Sequence, residues 1–309
     1  MARLESIVDA VGHTPLVRLR EVAPDTRAVE VWIKLELANP GGSVKDRAAL
    51  RMMQRALADG RLGPGKTLID STSGNTGVAY SLFGAALGVP VRLVMPSNVT
   101  APRKAVSRAF GTEIVFSDPM EGSDGAIRKV RELVAAEPDR YFYPDQYSNP
   151  DNPLAHYHGT GVELLDALGD RITHFVTGLG TSGTMMGTAR RLHEHARPIT
   201  CVAVEPEEPM HGLEGLKHMA TSLVPPIYDP KAHDALVRVS TEDGWNMADE
   251  LAAREGLHVG HSSGANVFAA VRLARELVAQ GREGCIVTVA CDRGDRYFAP
   301  MKWERRYVW

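Results

Sequence analysis

Short runs of β-branched and other apolar residues alternate along the chain with longer segments whose apolar positions recur at helical spacing. Val31–Leu35, Thr67–Asp70, Val91–Met95, Glu113–Phe116, His174–Thr177, Thr200–Val204 and Cys285–Ala290 read as strands. Asp46–Asp59, Thr76–Leu87, Pro102–Phe110, Gly122–Glu137, Gly159–Leu168, Gly183–His195, Trp245–Glu255 and Gly264–Gln280 read as helices. This alternation predicts an α/β fold with a parallel sheet covered by helices. Two stretches interrupt it. Pro138–Pro153 is loop-rich and is the expected place for a domain boundary. Pro206–Pro230, rich in Pro, Gly, His and Met, is too long for a simple connection, and such loops are often functional.

Composition narrows the class. The 309 residues carry 35 Lys+Arg against 38 Asp+Glu, a formal charge of -3, which argues against a dedicated nucleic-acid binder. No apolar run reaches the ~20 residues that span a bilayer. The opening Met1-Ala-Arg-Leu-Glu-Ser lacks the charged head and apolar segment of a secretion signal, so a cytoplasmic protein is expected. Cys201, Cys285 and Cys291 are odd in number and form no C-x-x-C pair, as expected of reduced thiols.

In open α/β sheets ligands bind at the carboxyl ends of strands, where helix N-termini present free N–H groups. Gly60–Thr67 matches the phosphate-loop pattern by letter, but it follows a helix and precedes a strand, so it reads as a surface turn. Gly178-Leu-Gly180-Thr-Ser-Gly183 follows a strand and opens a helix, and Glu205 stands where a ribose-binding acid would in a dinucleotide site. The hydroxyls of Thr177, Thr181, Ser182 and Thr184 suit a terminal phosphomonoester better, because its charge gains from several donors at once. A third turn, Ser71-Thr72-Ser73-Gly74-Asn75-Thr76-Gly77, has more hydroxyl and amide groups than capping needs and suits a carboxylate.

Asn39-Pro-Gly-Gly-Ser43-Val-Lys45-Asp46-Arg47 places a lysine in the first turn of a helix, with Ser43 as the expected cap. A cation there opposes the helix dipole, and burial at that end would favour the neutral amine that attacks a carbonyl. A phosphate cradle, a carboxylate turn and an imine-forming lysine together describe an amino-acid enzyme using pyridoxal phosphate.

With these motifs the sequence resembles the cysteine synthase (O-acetylserine sulfhydrylase) family of fold-type II pyridoxal-phosphate enzymes over nearly its whole length. The matching segments are Gly12–Leu16, Asn39–Arg47, Thr72–Gly77, Gln146–Pro150, Gly180–Thr184 and Gly260–Gly264. Asn149–Tyr157 and Cys291–Tyr297 resemble the B-type isozyme in particular. The resemblance implies two open, twisted, mostly parallel sheets wrapped by helices, as in the tryptophan synthase β architecture. It implies a smaller domain over 38–148, a larger one from 1–37 and 149–309, and a homodimer. Lys45 would hold pyridoxal 5'-phosphate as a Schiff base and remove the substrate α-proton. Asn75 would bond the ring hydroxyl, Gly180, Thr181, Ser182, Gly183 and Thr184 would cradle the phosphate, and Ser262 would face the pyridine nitrogen. Thr72, Ser73, Thr76 and Gln146 would bind the substrate carboxylate. The reaction implied is β-replacement on O-acetyl-L-serine or O-phospho-L-serine by sulfide or thiosulfate, giving L-cysteine or S-sulfocysteine.

The chain departs from the family pattern at Asp70-Ser71, at Ala101-Pro102-Arg103 and at Gly215-Leu-Lys217, where A-type members carry a small Gly-Ile-Gly gate. Lys217 is either a solvated loop lysine or the binder of an anionic substrate. Rival readings are cystathionine β-synthase-like condensation, serine/threonine deamination and, more distantly, a nicotinamide oxidoreductase. His193 and His195 end a helix without an evident third metal ligand, so dipole complementation is expected of them and no metal.

Overall fold

The computed structural model describes residues 3–297 apart from positions 24, 27, 73 and 100, with backbone alone at 101–103 and 123. Its first half contains β1 (Leu16–Leu19), β2 (Val29–Leu35), α1 (Lys45–Ala58), β3 (Thr67–Ser71), α2 (Asn75–Leu87), β4 (Val91–Pro96), α3 (Ala101–Ala109), β5 (Glu113–Ser117), α4 (Gly122–Ala136) and β6 (Tyr141–Phe142). There follow α5 (Asp151–Ala155), α6 (Gly161–Leu168), β7 (His174–Gly178), α7 (Gly183–His193), β8 (Thr200–Pro206), β9 (Ala235–Val239), α8 (Thr241–Glu255), α9 (His261–Ala279) and β10 (Gly284–Ala290).

The strands form two sheets, one ordered β1-β2-β10-β7-β8-β9 and one ordered β5-β4-β3-β6. All pairings are parallel except β1 with β2. Both faces of the larger sheet are covered, which is why its central strands are apolar at nearly every position. On one face Val31, Ile33, Val204 and Ile286 pack with Leu251 of α8 and Ala270 of α9. On the other, Phe175, Cys201 and Val287 pack with Leu164, Met185 and Leu192 of α6 and α7. In the smaller sheet Leu68 and Leu93 meet Met52, Met53, Tyr80 and Phe83 of α1 and α2. Ile69 and Val94 on its other face meet Val130 of α4.

Three strands and one helix go beyond the sequence reading. Edge strand β1 and two-residue β6 are too short for a pattern, and β9 is mostly exposed, so neither face marks it as apolar. Helix α5, which starts inside the expected loop at 138–153, runs through a π-helical turn at His156–Thr160 into α6. Helix α8 starts at Thr241 rather than Trp245, because Ser240 Oγ accepts from Asp243 N–H at 3.1 Å and the acidic first turn carries no apolar signal. Between Pro206 and Ala235 no helix or strand forms, as the sequence leads one to expect. Among the described residues no helix is long and apolar enough to cross a membrane.

Candidate active site

The carboxyl ends of β3, β7 and β10 open onto one cavity of about 780 Å³, which the N-termini of α1, α2, α7 and α9 also reach. Lys45, Thr72, Asn75, Thr76, Gln146, Gly180, Thr181, Ser182, Thr184, Lys217 and Ser262 all line it. Residues expected from five separate motifs, together with Lys217, therefore share a single space. Ser73 lies outside the described residues.

Lys45 is the first residue of α1, one position earlier than the sequence suggests. Ser43 is not the cap residue. Val44 takes that position, while Ser43 Oγ still accepts from Lys45 N–H at 3.3 Å. The segment is tied to the end of β10 by Val44 N–H donating to Cys291 O at 2.8 Å and by a bridge between Ser43 and Asp292. Behind it, Asp46 accepts from Gly41 N–H at 2.5 Å, and burial pushes its carboxyl up to about 7.

On the facing wall, α2 begins at Asn75. Thr76 Oγ1 donates to Gln146 Oε1 at 2.9 Å, joining the turn to the segment before α5. Beneath the turn Asp70 is fully buried, and its carboxyl is also pushed up to about 7 by desolvation.

The turn from β7 into α7 is shaped by close approach. A Cβ on Gly180 would stand 2.2 Å from Gly215 O, and one on Gly183 would stand 1.9 Å from Asn152 Oδ1, so side chains are excluded at both positions. Ser182 adopts φ +71°, and its buried Oγ has no hydrogen-bond partner in the structure. Thr181 Oγ1 accepts from Asn152 Nδ2 at 3.1 Å. Thr184 Oγ1 faces His156 Nε2 at 3.4 Å, and burial drives that imidazole down to about 3, leaving it neutral. Helix N–H groups and hydroxyls, not a histidine cation, are what this turn offers an anion.

Ser262 lies buried in the first turn of α9. Lys217 is anchored by its backbone N–H to Leu179 O at 2.8 Å, with Nζ 5.2 Å from the Tyr147 ring centre. Burial lowers the Lys217 pKa, against the pull of Asp124.

The sequence reading assigned no role to the segment after β10, yet Asp292, Arg293, Asp295, Arg296 and Tyr297 line the same cavity. Asn75 Nδ2 donates to Asp292 Oδ2 at 2.6 Å, and Tyr297 Oη donates to the same oxygen. Arg296 donates to Asn75 Oδ1 and to Gly41 O. The signal available in the sequence was a dense polar run directly after an apolar strand. Glu205 has another task. Buried, it accepts from Arg238 Nε at 3.0 Å and from Met219 N–H at 3.3 Å, and it does not line the cavity, which removes the acid that a dinucleotide site required.

Residues 7–292 match the family model described as pyridoxal-phosphate dependent enzyme. A cysteine synthase from Aquifex aeolicus is 50% identical over 295 residues, 95% of this chain and 90% of that protein. The chain belongs to the cysteine synthase family of pyridoxal-phosphate dependent enzymes. Cysteine synthase B of Escherichia coli (strain K12) is 40% identical over 96% of this chain and 95% of its own length. Among solved structures, a cysteine synthase from Entamoeba histolytica superposes with a TM-score of 0.92 at 34% identity, covering 97% of this chain and 90% of that one. An O-acetylserine dependent cystathionine beta-synthase from Helicobacter pylori superposes at 0.87 with 33% identity, covering 96% and 98%. The family uses pyridoxal phosphate, and the fold is the fold-type II architecture that the resemblance implied.

Proposed function

We propose that this family member forms L-cysteine by β-replacement on O-acetyl-L-serine with sulfide, and that Lys217 extends its range to anionic substrates such as O-phospho-L-serine or thiosulfate. The carrying observation is that the Lys45 amine, the carboxylate-suited turn at 72–77 and the hydroxyl-lined turn at 180–184 face one cavity. The buried, unpartnered Ser182 hydroxyl and the two side-chain-free glycines fit a phosphate tail.

When bound, pyridoxal phosphate supplies an aldehyde for the substrate amine and a ring that draws electrons from the α-carbon. Lys45 would hold that group covalently and then, once its Nζ is released, take the α-proton from the substrate. Asn75 Nδ2 would donate to the ring hydroxyl, and Gly180, Thr181, Ser182, Gly183 and Thr184 would hold the phosphate. Ser262 would meet the pyridine nitrogen with a neutral hydroxyl. Such a partner stabilises a ring cation less than a carboxylate would, which suits departure of a β-leaving group over prolonged charge storage. Thr72, Ser73, Thr76 and Gln146 would orient the substrate carboxylate.

Cystathionine formation stays on the same fold, as the Helicobacter pylori structure shows for that protein, but the curated relatives at 50% and 40% identity are cysteine synthases. We also propose a cytoplasmic homodimer, with a smaller domain over 38–148 and a larger one from 1–37 and 149–309. The purified protein should be yellow, and borohydride should bleach it while fixing the cofactor to Lys45. Lys45→Ala should abolish the fixation and cysteine formation, and a colourless protein or attachment at another lysine would reject the reading.

A further inference from the structure

The crossover from β7 through α7 to β8 carries the end of the helix to the amino ends of the strands, away from the cavity. There His193 closes α7, Cys201 is the second residue of β8, and Asp234 directly precedes β9. One ligand atom from each, an imidazole nitrogen, a thiol sulfur and a carboxylate oxygen, lies within 4.8 Å of the others. At this helix end the sequence offered His193 and His195 without a third ligand. The fold turns His195 away, to Asp170 at 2.9 Å, and supplies two other partners for His193.

We propose that His193, Cys201 and Asp234 form a binding site for one zinc-class divalent transition ion, with water completing the shell. Around zinc, ligand bonds of about 2.0–2.3 Å place neighbouring donors roughly 3.3–3.7 Å apart. His193 Nε2 and Asp234 Oδ2 stand 3.1 Å apart in a hydrogen bond that an ion would replace, and with all three ligand atoms within 4.8 Å of one another the set needs to close by only about 1 Å. Asp234 is oriented by Cys201 N–H, which donates to its Oδ2 at 2.7 Å, the kind of outer bond that fixes a metal-binding carboxylate. The His193 and Asp234 side chains are 36% and 48% exposed, giving an ion a path from water, and fully buried Cys201 forms the floor.

A mixed nitrogen, sulfur and oxygen set suits zinc and its neighbours, whereas calcium and magnesium select oxygen alone. In the ion's absence, burial and then Asp234 push the Cys201 thiol up to about 12, so binding must displace its proton. The ion would clamp the end of α7 to β8 and to the entry of β9 without touching the cavity.

The test is titration of chelator-treated holoenzyme with Co²⁺, followed by Zn²⁺ competition. The expected result is one equivalent of Co²⁺ with ligand-field bands to the red of the cofactor and a thiolate charge-transfer band, both removed by Zn²⁺. Cys201→Ser should lose the thiolate band and bind more than about tenfold more weakly, and His193→Ala should weaken binding similarly, with turnover unchanged in both. Should Cys201→Ser fold poorly, the exposed His193→Ala variant decides by thermal melting: Zn²⁺ raises the wild-type Tm and leaves the variant's unmoved. No stoichiometric binding, or a Cys201→Ser protein that binds like wild type, overturns the proposal and leaves surface adsorption on histidine only.

Discussion

Asn75 Nδ2 donates to Asp292 Oδ2 at 2.6 Å, joining residues 217 positions apart in the wall of the cavity. Arg296 donates to the other end of the same amide, so the two neighbours together dictate which way Asn75 points. A guanidinium can only donate, which holds Oδ1 towards Arg296 and leaves the second Nδ2 hydrogen for a ligand.

Replacing Arg296 tests that relationship. In Arg296→Met the amide is free to turn, and apoenzyme affinity for pyridoxal phosphate should fall by roughly tenfold, the value of one lost hydrogen bond. Fluorescence titration measures it, alongside the position of the visible cofactor band. Unchanged affinity and an unchanged band would show that Asn75 needs no such support.

The buried cations Arg47 and Lys34 share a network of carboxylates. Arg47 bonds Glu36 through Nε at 2.6 Å and Nη2 at 2.8 Å, and bonds Glu163 through Nη1 at 2.6 Å. Lys34 Nζ reaches Glu163 at 2.7 Å. Burial alone would raise the Glu36 carboxyl, but Arg47 outweighs it and holds the group ionised. Glu36→Gln leaves the guanidinium short of a buried partner and should cost about 3–5 kcal/mol in urea unfolding. A loss below about 1 kcal/mol would mean that water or a rearranged Glu163 replaces the pair.

Asp70 makes stability depend on pH. Its carboxyl titrates near 3.8 in a free chain and near 7 when buried in the fold, so between those values the native state holds a proton that the unfolded state has lost. Its contribution is therefore complete below about pH 4 and lost as pH rises through 7. Asp70→Asn keeps an acceptor for Ser71 N–H, bonded at 2.7 Å in the wild type, and removes the charge. Relative to wild type it should gain roughly 2–4 kcal/mol at pH 8 and little at pH 4. Equal differences at both pH values would refute the assignment.

The role proposed for Lys217, binding of anionic substrates, predicts a separation of substrates by charge. Lys217→Ala should raise KM for O-phosphoserine or thiosulfate by about tenfold, while O-acetylserine with sulfide changes little. Steady-state kinetics with each donor and acceptor pair measures this. Equal losses for all substrates would assign Lys217 to loop structure, through its place over the Tyr147 ring.

Several parts of the molecule are legible in one dimension because their causes are local. The strands at Thr67, Val91, His174, Thr200 and Cys285 are short apolar runs bounded by turns, and the turns at 72–77 and 180–184 show their hydroxyl chemistry by composition. The exposed edge strand β9 and the polar start of α8 are not legible, since no buried face imposes a pattern on them. The family motifs marked Cys291–Tyr297 without giving it a task, because its partners Asn75 and Gly41 lie more than two hundred residues away.

By itself the sequence determined the alternation of helices and strands, the lysine in the first turn of a helix and the two hydroxyl-rich turns after strands, because backbone pattern and side-chain chemistry act over a few neighbouring residues. Only the tertiary structure decided that these turns face one cavity, that Glu205 belongs to Arg238 and not to a ribose, and that Cys201 and Asp234 stand beside His193. Those relationships depend on the order in which strands pair and on which end of each strand a crossover returns to, and sheet pairing is a property of the whole chain.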